Sequence, residues 1–237
     1  MFKFIRYFFY LSYNWNLSIA RKLIIQELKG EKKYGIDTTG ADELRSLEKK
    51  GIDISHATIY MPVAYGLLEE VFEFLLGPAS IPNIQHSTFT HFLDFGCGKG
   101  RALCMAAHYG CRKVTGIDLS KELCENAKQN LELTKKKYQE LEYSVINNDA
   151  FYFEIPTGVD GIFLFNPFDE LIMSAVVNNI LKYAGRNKGK ITVIYVNPLH
   201  KELFIKAGFK QSYYTKKMKY LEVAVLECPI PSSPHSG

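Results

Sequence analysis

The stretch Phe92-Leu93-Asp94-Phe95-Gly96-Cys97-Gly98-Lys99-Gly100 decides how the chain is read. Apolar residues surround Asp94, glycines fall at alternate positions 96, 98 and 100, and a helical pattern then begins with Ala102, Leu103, Ala106 and Ala107. This is the pattern of a buried strand, a tight glycine turn and a helix whose N-terminus faces the turn. Glycine suits a turn whose main chain must touch a ligand, because a Cβ would hold that ligand off. The spacing discriminates between ligands. A dinucleotide fold seats its pyrophosphate on G-x-G-x-x-G. Here the spacing is G-x-G-x-G, and Arg101 stands where that fingerprint has its third glycine.

Outward from this turn, strand and helix patterns alternate, which predicts a parallel sheet. Strands are expected at 89–95, 113–119, 143–147, 161–165 and 190–196, with two more at 209–214 and 220–226 as a terminal antiparallel hairpin. Between them run a helix to His108 and a second one capped by Ser120, with Leu123, Ala127, Leu131 and Thr134 inward. A third spans 170–183 and buries Leu171, Ile172, Ala175, Val176 and Ile180, and a short one covers 199–207. The fold class is α/β, a Rossmann-like seven-stranded sheet, mostly parallel, preceded by an N-terminal helical extension.

Asp94, Gly96, Gly98 and Gly100 resemble the first motif, D-x-G-x-G-x-G, of the class I S-adenosylmethionine (SAM)-dependent methyltransferases, without its leading glycine. The resemblance implies a glycine loop wrapped around the amino-acid end of SAM, with Cys97 as the small residue inside it. Cys97 is open to two readings, a packing residue or a reactive thiol.

Ligands of open α/β sheets bind beyond the carboxyl ends of the strands, where strand order reverses. Asp118 closes the second strand, followed by Leu119. A carboxylate there can accept both ribose hydroxyls of an adenosine, in charge-assisted bonds worth about 1.5–3 kcal/mol. It would serve the ribose of NAD equally well. Asp149 ends the third strand. The resemblance assigns Asp149 to the adenine amino group and the backbone of Ala150 to the ring; the alternative is a surface-turn aspartate.

The fourth strand ends in Asn166-Pro167-Phe168-Asp169. This is similar to the [Asn/Asp]-Pro-Pro-[aromatic] motif of amino-group methyltransferases, with one proline in place of two. A nitrogen acceptor must aim its lone pair at the methyl group. The resemblance gives the Asn166 oxygen and the carbonyl at the Pro167 step the task of holding its N–H bonds, while Phe168 stacks on the target. Asp169 caps the next helix. Tyr60, ahead of the helix that leads into the sheet, either closes over cofactor and target or packs. His56 is read as structural. Asn197-Pro198 ends the fifth strand, where Asn197 lines the acceptor pocket or simply turns the chain.

The chain of 237 residues carries 47% apolar and 23% charged residues and a net charge of +4. It is globular and too mildly basic for charge to argue for a nucleic-acid partner. Five cysteines without a C-x-x-C pair fit a reducing, cytoplasmic compartment, and the scattered histidines predict no metal. Residues 1–28 are dense in aromatics, with Lys3 and Arg6 as early charges. The charge-free run from Tyr7 to Ala20 is too short to span a bilayer. Two alternatives remain: a helix docked on the catalytic domain, or one lying in a membrane interface as a peripheral contact. Residues 29–40 turn polar and glycine-punctuated, as a linker would, and 41–50 read as a short charged helix.

The expected organisation is thus a helical extension and linker over 1–57, a catalytic domain over 58–228 and a loose tail over 229–237. The expected activity is SAM-dependent methylation of a nitrogen on a protein lysine or other amine. The alternatives are a non-catalytic SAM-binding or membrane-associated scaffold and an NAD(P)-dependent oxidoreductase.

Overall fold

A computed structural model describes residues 2–14, 16–40, 61–77, 89–165, 168–187, 189–217 and 221–229. Tyr60, His56, Asn166, Pro167, the helix expected over 41–50 and nearly all of the tail lie outside the described residues.

The chain opens with two helices, α1 (Phe2–Asn14) and α2 (Leu17–Tyr34). Asn16 starts the second by accepting the Ile19 N–H at 2.9 Å, and Gly35 ends it in the left-handed conformation. Helix α3 (Tyr65–Leu76) leads to the sheet. The alternation that follows is β1 (Phe92–Phe95), α4 (Arg101–His108), β2 (Lys113–Asp118), α5 (Lys121–Lys137), β3 (Glu142–Asn147), β4 (Gly161–Phe165), α6 (Glu170–Arg186), β5 (Thr192–Val196), α7 (Lys201–Lys206), β6 (Lys210–Lys217) and β7 (Leu221–Glu227).

The seven strands form one sheet in the order β3-β2-β1-β4-β5-β7-β6. The first five are parallel, and β7 inserts antiparallel between β5 and β6. Strand order reverses between β1 and β4, so a crevice opens at their carboxyl ends. Side chains alternate across the sheet. Phe92, Phe163 and Ile194 face a core shared with α3, α4 and α5, whereas Leu93, Phe95, Ile162 and Val193 face a core shared with α6. Both faces are therefore covered, as a parallel sheet requires.

Three expectations are corrected. Residues 29–40 are not a linker: α2 continues to Tyr34, and Ile36, Thr38 and Thr39 are buried against the domain. Gly30 reads as a breaker but sits inside the helix, because a Cβ there would meet the Tyr65 ring at 2.2 Å. Leu171 is not inward but 58% exposed. The turn that Asp169 caps directs Ile172, Met173, Val176 and Ile180 to the sheet instead. Finally, β1 starts at Phe92 and not at residue 89; Phe89 precedes it and packs its ring under Gly161.

Candidate active site

The glycine loop is pinned to the end of β2. The N–H groups of Gly96 and Cys97 both donate to the Ile117 carbonyl at 2.9 Å, and Gly98 N–H donates to Asp118 Oδ2 at 2.9 Å. Gly96, Gly98 and Gly100 have φ of 76°, 52° and 80°, in the left-handed region where a side chain is strained. Gly100 also has Ala127 of α5 within 3.1 Å of where its Cβ would stand. Cys97 is buried with its sulfur over Gly116, whose absent side chain makes room for it. Burial and the charges of Asp118 and Asp94 hold the Cys97 thiol well above its ordinary range, so it packs as a small neutral group.

The two acids of the crevice differ in their bonding. Asp118 accepts Gly98 N–H on one oxygen and Ser120 N–H on the other, at 2.9 and 2.8 Å. Burial raises its carboxyl, and the two backbone donors oppose that shift. One lone pair per oxygen is left for a ligand hydroxyl. Asp94 is buried, and among the described residues its Oδ1 has no hydrogen-bond partner. Its carboxyl is raised well above the usual range by burial and then by the Asp118 charge. A buried acceptor without a donor is costly, and a cationic ligand group at this place would satisfy it. The site therefore fits the ammonium end of SAM on an observation of its own.

Asp149 stands two residues beyond β3, whose last residue pairs with Asp118 across the sheet. Its Oδ1 accepts the Phe151 N–H at 2.9 Å, a local turn of the surface type. Ala150 beside it is buried. The structure thus brings Asp94, Gly96, Cys97, Gly98, Gly100, Asp118 and Leu119 into one loop system, with Asp149 and Ala150 on the neighbouring strand end. Phe168 is half-buried and packs against the α6-side core.

A cavity of about 60 Å³ lies beside this crevice, lined by Tyr7, Ile19, Leu23 and Glu27 of the N-terminal helices, by Met61, Pro62 and Ala64, and by Phe165, Asn197 and Leu221. Phe165 is the residue directly before Asn166. Asn197 has φ 47°, and its Oδ1 accepts Glu222 N–H at 3.2 Å while its own N–H donates to the Glu222 carbonyl at 2.7 Å. It both lines the cavity and turns the chain. Burial and the Glu27 charge push the Tyr7 phenol up, so it presents a neutral hydroxyl.

The sequence reading missed what holds the glycine loop from behind. Arg101 is buried at the start of α4 and donates from Nη1 to Glu27 Oε1 at 2.9 Å and to the Val63 carbonyl at 2.6 Å, and from Nε to Thr38 Oγ1 at 2.8 Å. Its guanidinium lies 3.8 Å from the centre of the Tyr65 ring, which stacks on Tyr34. Asn130 of α5 adds a second tie, donating to the carbonyls of Lys99 and Asp37 at 3.0 Å and accepting Asp37 N–H at 2.7 Å. One signal was available: Ala20, Leu23, Glu27, Gly30 and Tyr34 share a helical face, so Glu27 falls on the inward stripe. Among the described residues, no group of three or more His, Cys, Asp or Glu is placed to hold a metal.

Residues 92–186 match the family model described as "Methyltransferase domain". No curated protein matches the chain. Among solved structures, an RNA methyltransferase from Salinibacter ruber, in complex with S-adenosyl-L-homocysteine, superposes with a TM-score of 0.51 at 16% identity. The match covers 75% of this chain and 98% of that one. A putative methyltransferase from Escherichia coli superposes at 0.50 with 14% identity, over 70% of this chain and 86% of that one. Both share the fold. A methyltransferase domain thus occupies residues 92–186, and with it come the enzyme class, SAM-dependent methyl transfer, and its cofactor, SAM.

Proposed function

We propose that the chain transfers the methyl group of SAM to a nitrogen of an amine-bearing acceptor, a protein lysine or a small-molecule amine. The observation that carries this reading is the place of the cavity. It sits at the carboxyl ends of β4 and β5, walled by the residue before Asn166 and by Asn197. Ile19, Leu23, Met61, Pro62, Ala64 and Leu221 make most of its wall apolar. Such a wall suits the aliphatic stem of an amine, and desolvation there disfavours the ammonium form, leaving the lone pair that methylation needs. A polyanionic backbone gains nothing from it.

SAM supplies, when bound, a methyl group on a positively charged sulfur. In this reading the main chain of Gly96, Cys97, Gly98 and Gly100 lies along its amino-acid end, with Asp94 answering the ammonium. Asp118 accepts the ribose hydroxyls beside Leu119, while Asp149 and Ala150 meet the adenine. Asn166 and the carbonyl at Pro167 hold the acceptor N–H bonds, Phe168 and Tyr60 flank the acceptor, and alignment does most of the work.

The test is incubation with methyl-labelled SAM and cell extract, followed by mild base and by protease or nuclease. Label that resists base and is carried by protein or by a small amine supports the reading. Label lost as methanol, which marks a carboxyl ester, or label released only by nuclease overturns it. Asn166→Ala is expected to lower turnover at least about a hundredfold, the cost of lost alignment, with SAM affinity retained in an equilibrium titration.

A further inference from the structure

The two N-terminal helices turn one side to the domain, and the side they leave in solvent is not the polar face of an ordinary docked helix. On α1, Tyr7 and Leu11 are buried, whereas Ile5, Phe9 and Tyr13, one turn apart from each other, are exposed, the latter two at 66% and 90%. On α2, Ala20, Glu27, Gly30 and Tyr34 face inward, and Leu17, Ile25 and Leu28 face solvent, Leu17 at 66%. Large apolar groups at regular helical spacing on an outer face mark an interaction surface, not a scatter of single exposures.

The charges on the same two helices are one-sided. The exposed ones are Arg6, Arg21, Lys22, Lys29, Lys32 and Lys33, all cationic. The acids are spent elsewhere: Glu27 is buried against Arg101, and Glu31 pairs with Lys3 at 2.8 Å. Lys33 pairs with Glu69, while the other five cations meet no acid among the described residues.

From this combination we infer that the outer face of α1 and α2 docks the enzyme on an anionic lipid surface. Phe9, Tyr13 and the aliphatic side chains enter the boundary between headgroups and acyl chains, and Arg6, Arg21, Lys22, Lys29 and Lys32 meet lipid phosphates. Two other occupants fit less well. A nucleic acid would use the cations and stack bases on Phe9 and Tyr13, but would leave the exposed aliphatic side chains of Ile5, Leu17, Ile25 and Leu28 without a partner. A second copy of the chain would bring cations against cations. Among the described residues no helix is long and apolar enough to cross a membrane, so the contact is with the surface. The inference is independent of the acceptor, since the opposite side of the same helices lines the cavity.

The test is sedimentation of the full-length protein with phosphatidylcholine vesicles, with and without phosphatidylserine. Binding is expected only with phosphatidylserine and is expected to weaken as salt rises from about 0.1 M to about 0.5 M. Reversing three cations, Arg21→Glu, Lys22→Glu and Lys29→Glu, is expected to lower partitioning by at least roughly a hundredfold. Phe9→Ser with Tyr13→Ser is expected to lower it too, at unchanged charge. SAM affinity and the melting curve report folding in each variant and are expected to stay as in the parent. Equal binding to both vesicle types, undiminished binding of the Phe9/Tyr13 variant, or capture by an RNA oligonucleotide but not by vesicles would overturn the inference.

Discussion

Glu27 and Arg101, 74 residues apart in the chain, meet as a fully buried forked ion pair at the back of the glycine loop. The pair joins the N-terminal extension to the first residue of the helix that the loop feeds.

Removing one partner leaves the other charge buried and unanswered, which typically costs about 3–5 kcal/mol. Glu27→Ala is therefore expected to lower the melting temperature sharply and to weaken SAM binding, because Arg101 anchors the loop end. The double replacement Glu27→Leu with Arg101→Met is expected to recover most of the stability. Differential scanning calorimetry with a SAM titration checks both. A double variant no more stable than the single one would show that the ion pair is not the anchor.

Asp94 gives a pH dependence of definite sign. Its carboxyl is held well above the unfolded value, so over the interval between the two the folded state keeps a proton that the unfolded state has lost. Stability then falls as pH rises through that interval. Asp94→Asn is expected to raise the melting temperature at neutral pH, with the gain vanishing below about pH 4, near the unfolded carboxyl value. The same substitution is expected to weaken SAM binding. Melting curves across pH, without ligand, read the first effect separately from the second.

Two glycines within helices should respond in opposite ways to alanine. A Cβ on Gly30 meets three atoms of the Tyr65 ring between 2.2 and 2.6 Å, and that ring is clamped by Tyr34, Arg101 and Thr38. Gly30→Ala is expected to destabilise by about 1–3 kcal/mol. Among the described residues nothing lies within 4 Å of the Cβ position of Gly66 in α3, so Gly66→Ala is expected to stabilise by about 0.5–1 kcal/mol through helix propensity. Urea unfolding of the two variants gives the comparison.

All five cysteines are buried and free. Burial pushes the thiols of Cys104, Cys111 and Cys124 up to about 12, and that of Cys228 up to about 11. Native protein at mildly alkaline pH is therefore expected to react slowly with a disulfide reagent at every position, and all five are expected to react at once in denaturant. Fast native labelling of Cys97 would restore its reading as a reactive thiol.

The sheet was legible because its strands bury both faces, and the resulting apolar runs alternate with helical periods over a long stretch. Even the reversal of β7 shows as two patterned strands too close together for a crossover. The ligand-facing side was legible for a related reason. Gly96, Gly98, Gly100 and Asp118 are demanded by backbone geometry and charge at fixed offsets from strand ends. The rear of the loop was not. Arg101 among small apolar residues reads as the exposed side of a helix, and only its partners on distant segments make a buried arginine tolerable. Gly30 misled for the opposite reason: its local meaning as a helix breaker is overridden by the ring packed on it.

The socket around Arg101 is built by Glu27, Thr38, Val63 and Tyr65, all of which precede the stretch that matches the methyltransferase family at residues 92–186. A fragment starting at Phe92 would carry the catalytic cassette with a naked guanidinium on its apolar flank. The leader cannot be trimmed as an accessory, and any exchange of cassettes between relatives must carry the matching leader along.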